Sequence, residues 1–114
     1  MTLAKRIAAK RAEQQRNSFD VEEWGEAETP LRLYFTQVSA RDIEKVQRKH
    51  PNFLSDPSMS SMVEMIILKS EGEDGEKLFT LEDKATLLGE PVNTIAKVFG
   101  AVFNAETAED HEKN

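Results

Sequence analysis

Residues 59–68, Met-Ser-Ser-Met-Val-Glu-Met-Ile-Ile-Leu, constrain the fold of this chain more than any other stretch. Met59, Met62, Val63 and Ile66 recur at helical spacing and share one face, while the last turn, 65–68, is apolar almost all round. A helix of that pattern has to be enclosed, so it is expected to be the most buried helix of the chain. Asp56 is expected to be its N-cap, with Pro57 in its first turn.

The rest of the sequence offers cover for it. Residues 31–35, Leu-Arg-Leu-Tyr-Phe, alternate at first and are rich in strand formers; residues 19–25, Phe-Asp-Val-Glu-Glu-Trp-Gly, read as a shorter strand. The polar connection 26–30 would join them as a hairpin. Trp24, the single tryptophan, is expected to pack on the helices. Ser39-Ala-Arg-Asp42 has the form of a capping box, and its helix, carrying Ile43 and Val46, must stop near His50 because Pro51 disfavours helical geometry before it. His50 is read as a C-terminal cap. Thr80-Leu-Glu-Asp83 is a second capping box, opening a short helix that stops at Gly89. Pro91 sits in the first turn of a last helix, where Val92, Ile95, Ala96, Phe99, Val102 and Phe103 keep the helical period. The expected fold is α+β, mainly α: a small N-terminal β-hairpin packed on three to four helices, with a basic helical N-terminal arm. The arm covers 1–17, a single globular domain 18–105, and a polar, disordered tail 106–114.

Between the two halves lies Ser-Glu-Gly-Glu-Asp-Gly-Glu-Lys-Leu-Phe-Thr-Leu-Glu-Asp, residues 70–83, which looks at first like a calcium loop. An EF-hand loop needs Gly at its sixth position and a bidentate carboxylate at its twelfth. With Gly75 sixth, the twelfth position is Leu81; with Gly72 sixth, it is Leu78. The bidentate ligand is missing in both frames, so the stretch reads as a solvated acidic turn. Gly72 and Gly75 permit positive φ there, and the turn acts as a hinge-like connector.

Composition narrows the function classes. The 114 residues suit one small domain, 39% apolar and 32% charged, which can close one core but hardly a deep enzyme cleft. There is no cysteine, and His50 and His111 lie far apart, so neither disulfides nor a thiolate or paired-histidine metal site is expected. The longest apolar run, 65–68, is far short of the ~20 residues that span a bilayer, and the N-terminus lacks the apolar stretch of a secretory signal. A cytoplasmic protein without membrane contact is the expectation.

No nucleophile elbow, phosphate loop, His-Glu helix motif or dinucleotide fingerprint is present, so the chain is not read as an enzyme and no cofactor is expected. Charge is uneven. Lys5, Arg6, Lys10, Arg11 and Arg16 stand against Glu13 alone, a net of +4 for residues 1–16, whereas the remainder carries −10. The domain would repel nucleic acid, and no aromatic residue interleaves with the basic arm to stack on bases. Only the arm could attract a polyanion. The arm reads either as a docking element or as a solvated helical extension, because Leu3, Ile7 and a few alanines form too thin a stripe to bury much.

The order of these landmarks resembles the tail assembly chaperones of long-tailed bacteriophages. The matching positions are Trp24-Gly25, the strand 31–35, Val38-Ser-Ala-Arg41, the helix 59–68, Asp74-Gly75-Glu76-Lys77-Leu78-Phe79, the cap at Thr80, the helix 91–104 and the ending Glu112-Lys113-Asn114. The resemblance spans residues 19–114 and leaves the basic arm outside it. It implies a non-catalytic helper that binds the aggregation-prone tape measure protein, helps recruit the major tail (tube) protein, works in the host cytoplasm and is absent from the finished virion. The candidate partner-binding residues are Met59, Met62, Met65, Ile66, Phe99 and Phe103. The arm could also pack on a neighbouring copy's acidic surface in a homo-oligomer. The alternative reading is a small regulatory protein that contacts nucleic acid through Lys5, Arg6, Lys10, Arg11 and Arg16.

Overall fold

Alternation of apolar and polar side chains builds a two-stranded antiparallel hairpin, β1 (Asn17–Glu26) and β2 (Thr29–Phe35). The computed structural model describes residues 2–13 and 16–104, so the tail expected over 106–114 lies outside the described residues. β1 is the longer strand, a correction to the expected order, because its register runs from Asn17↔Phe35 through Val21↔Leu31 and resumes only at Glu26↔Thr29. The irregularity falls opposite Pro30, which has no N–H to offer a ladder. Gly25 sits at the tightest point of this bulge. A Cβ there would lie 2.2 Å from the Thr29 carbonyl oxygen.

Five helices accompany the hairpin among the described residues: α1 (Leu3–Glu13), α2 (Ala40–Gln47), α3 (Met59–Lys69), α4 (Lys84–Leu88) and α5 (Val92–Phe103). A 3-10 turn, Leu81–Asp83, leads into α4. The fold is therefore α+β, with the hairpin packed on α3, α4 and α5, α2 on the far side of α3, and α1 as the arm. Ser39 caps α2 as expected: its Oγ accepts from the Asp42 N–H, and the Asp42 carboxylate accepts from the Ser39 N–H at 2.9 Å. At the second box the Asp83 carboxylate accepts from the Thr80 N–H, also at 2.9 Å. The cap of α3 is Ser58 and not Asp56; its Oγ accepts from the Ser61 N–H, which starts the helix two residues later than expected. Pro91 is the N-cap of α5, one position before its first turn.

The core has two parts, and α3 divides them. Val21, Leu33 and Phe35 of the hairpin pack with Val63, Ile66 and Ile67 of α3, Leu87 of α4, and Ile95, Val98 and Val102 of α5. On the other side Met65 meets Val46 of α2 and Phe53. There Phe53 stands edge-on to both Phe99 and Phe103, with centroids 6.1 and 5.6 Å away. Enclosure from both sides is why the last turns of α3 need apolar residues all round.

Polar ties hold the helices in register. Lys69, at the end of α3 and almost buried, donates to Asp42 Oδ2 and Thr36 Oγ1 at 2.8 Å each and to the Gln37 carbonyl at 3.3 Å. One cation thereby fastens α3 to the β2–α2 connection and the first turn of α2.

Candidate partner-binding surface

The acidic turn is tied to the sheet by its backbone. The Glu71 N–H donates to the Tyr34 carbonyl at 2.8 Å, and Tyr34 returns the bond at 2.9 Å, so residue 71 adds a rung to the free edge of β2. Glu71 then bridges to Lys77, closing a small loop. Within it Asp74 Oδ1 accepts from the Glu76 N–H, and of the two glycines that permit positive φ Gly75 takes it, at 88°. Arg16 closes over the loop. Its guanidinium donates to the carbonyls of Gly72 (2.9 Å) and Glu73 (2.6 Å) and lies 4.9 Å from the centre of the Tyr34 ring. Arg16 therefore belongs to the domain and not to a free arm. Lys5, Arg6, Lys10 and Arg11 are exposed on α1, with Arg11 reaching Gln37 Oε1 at 3.5 Å.

The six apolar candidates do not form one surface. Met65 and Ile66 are 0% exposed and belong to the core, which removes them as contact residues in this conformation. Met59 and Met62 are half-buried against the larger core part, and Phe99 packs against both parts. Phe103 is half-buried, stacked on Phe99 at 5.1 Å. The large apolar side chains left exposed are instead Leu3, Ile7, Leu54, Leu81, Leu88 and Val92.

The C-cap of α2 is Arg48 and not His50, because the helix closes two residues before Pro51 can act on it. The His50 backbone N–H donates to the Val46 carbonyl, and its ring reaches α3, where Nε2 lies 2.6 Å from Glu64 Oε2. Lys84 Nζ reaches the same oxygen at 2.6 Å. Burial alone would raise the Glu64 carboxyl, yet the bonds from Lys84 and His50 outweigh it and hold the group below the usual carboxylate value. An ionised carboxylate only accepts, so the ring donates through Nε2. Among the described residues no three His, Asp or Glu side chains converge as a metal site requires, and no helix is long and apolar enough to cross a membrane.

A groove of about 400 Å³ opens beside this network, between the end of α2, the end of α3 and residues 77–81. Its floor is Leu68 and Phe79, its lip is Leu81, and Lys45, Arg48 and Lys49 stand along one wall. Sequence reasoning missed it, although part of the signal is present: 45, 48 and 49 are spaced i, i+3, i+4 across the end of α2, which gathers three cations at one helix terminus. No protein-family model, no curated protein and no solved structure matches this chain.

Proposed function

We propose that this protein is a non-catalytic tail assembly chaperone of a long-tailed bacteriophage or prophage, acting in the host cytoplasm on the tape measure protein and helping to recruit the major tail protein. One observation carries the reading beyond the order of motifs. Two of the landmarks behind the resemblance, Trp24-Gly25 and Leu78-Phe79, meet in space: the Trp24 and Phe79 rings pack edge to face with centroids 5.8 Å apart. The indole Nε1–H also donates to Glu90 Oε1 at 2.5 Å, beside the α4–α5 junction. Leu78-Phe79 thus return the acidic turn to the hairpin, which gives those positions a shared structural purpose.

The physical economy fits a helper of this kind. A small domain with a strongly negative body can cover apolar segments of a client while its charge keeps the complex dispersed. Co-expression with a tape measure protein tests the proposal. The client is expected to stay in the supernatant and to co-purify; a client that precipitates equally with and without this chain would end the reading. A long open reading frame directly downstream, with a tail-tube gene upstream, is the genomic arrangement expected.

A further inference from the structure

We infer that the groove between α2 and the 3-10 turn is a docking site for an acidic segment of a partner protein that carries an apolar anchor. The inference stands apart from the assembly reading, because it rests on which charges the fold uses and which it leaves over.

Among the described residues the fold uses most of the domain's cations. Arg16 serves the acidic turn, Arg32 pairs with Asp20, Lys69 with Asp42, Lys84 with Glu64 and Lys97 with Glu23. Lys77 donates to the Leu68 carbonyl at the groove's edge. Arg41 is left over away from the groove, and Lys45, Arg48 and Lys49 are left over beside it. Each of the last three is exposed, none forms an ion pair or side-chain hydrogen bond among the described residues, and all three face the same groove. Cations at a helix C-terminus complement its dipole, which accounts for their sign. The dipole does not account for the apolar floor beneath them, nor for Leu81, left 58% exposed at the lip.

Charge complementarity selects the occupant. Glu64 is the acid that lines the groove, and its carboxylate is already taken by His50 and Lys84, so the groove presents positive charge to a ligand. An acidic chain is therefore drawn to this face of an acidic domain. The floor of Leu68 and Phe79 asks for more than charge. A leucine or phenylalanine on the same segment would displace water from it, as an amphipathic helix does in a groove. Nucleic acid suits the site poorly, since the body around the groove is negative and Phe79 spends its ring on Trp24.

The test uses the full chain and a synthetic amphipathic peptide, Leu and Phe on one face and Glu on the other. Fluorescence anisotropy of a labelled copy reads binding. Trp24 emission, with unlabelled peptide, reads occupancy beside Phe79. Saturable binding is expected, with none for the peptide in which Lys replaces Glu. The variant K45Q/R48Q/K49Q should weaken binding about tenfold or more, and Leu81→Asp should do likewise, while K5Q/R6Q/K10Q on α1 should leave it unchanged. All these positions are exposed, so the fold is expected to survive, and matching far-ultraviolet dichroism checks it. No binding, equal binding by the groove variants, or a groove-dependent preference for phosphatidylglycerol vesicles over the peptide would overturn the inference. A tape measure protein that co-purifies while the peptide stays silent removes this inference and leaves the assembly reading; the reverse pattern does the opposite.

Discussion

Arg16 donates to the Gly72 carbonyl at 2.9 Å, a bond across 56 positions of sequence that joins the residue before β1 to the acidic turn. The same guanidinium reaches Glu73 and lies over Tyr34, so one side chain holds the turn against the edge of β2.

Arg16→Ala should therefore cost about 1 kcal/mol, a charged hydrogen-bond set discounted because the side chain is about a third exposed. Urea unfolding measures the cost, and amide exchange localises it: the Gly72 and Gly75 N–H groups, bonded within the turn, should exchange faster. Arg16→Lys should recover little, since an ammonium cannot reproduce the planar fork. Unchanged exchange in the turn would show that Arg16 does not hold it.

Two glycines should respond in opposite directions to alanine. At Gly25 the new methyl would meet the Thr29 carbonyl at 2.2 Å, backbone against backbone, so the hairpin must distort. A loss of about 2 kcal/mol or more is expected. At Gly100, inside α5, the nearest atom to a new Cβ is Asn104 Nδ2 at 4.0 Å, and alanine should stabilise by about 0.5–1 kcal/mol. Thermal melts of both variants check the pair, and a tolerated Gly25→Ala would refute the close approach.

Ser70 is fully buried and its hydroxyl has no partner among the described residues, while its backbone N–H and carbonyl are both used. Removing the hydroxyl removes a desolvated group and no bond. Ser70→Ala should be neutral or stabilising by up to about 1 kcal/mol, against the usual cost of a core substitution. A clear loss of stability in urea would mean that the hydroxyl is satisfied in solution.

Acid should loosen the domain through two carboxylates. Burial alone would raise Asp42, but the Lys69 ammonium and the Ser39 N–H bind its charged form and hold it below its ordinary value; Glu64 behaves alike through Lys84 and His50. Both groups bind protons more weakly folded than unfolded. Their contribution is present in full above the ordinary carboxylate range, about pH 4, and is lost as pH falls through the lowered folded values. Urea midpoints followed into the acid range should fall more steeply for the wild type than for Asp42→Asn. Equal slopes would remove Asp42 from the account.

Several of these features are legible in the order of residues. The Ser39 box and the Asp83 bond to Thr80 appear where expected, because a cap depends on residues within one turn; the face expected of α5 holds at Ile95 and Val102, whereas Val92 and Ala96 are exposed and Thr94 is buried in their place. The start of α3 falls later than expected because Asp56 and Ser58 are both acceptable caps, and local chemistry does not choose between them. The candidate surface is less legible. Met62 and Met65 have the same composition signal, yet one is half-buried and the other fully enclosed by Val46 and Phe53.

Sequence alone carries the element types, the caps, the acidic balance and the absence of a position-twelve carboxylate in the turn, since each is a property of near neighbours. Packing decides the rest. Whether a lysine or arginine is a ligand-facing charge or an internal tie depends on what the fold brings within about 3 Å of it, such as Gly72 for Arg16 and Asp42 for Lys69. Lys45, Arg48 and Lys49 remain over because Glu64, the acid that lines their groove, is already taken by His50 and Lys84. That is a property of long-range contacts, and no local pattern contains it.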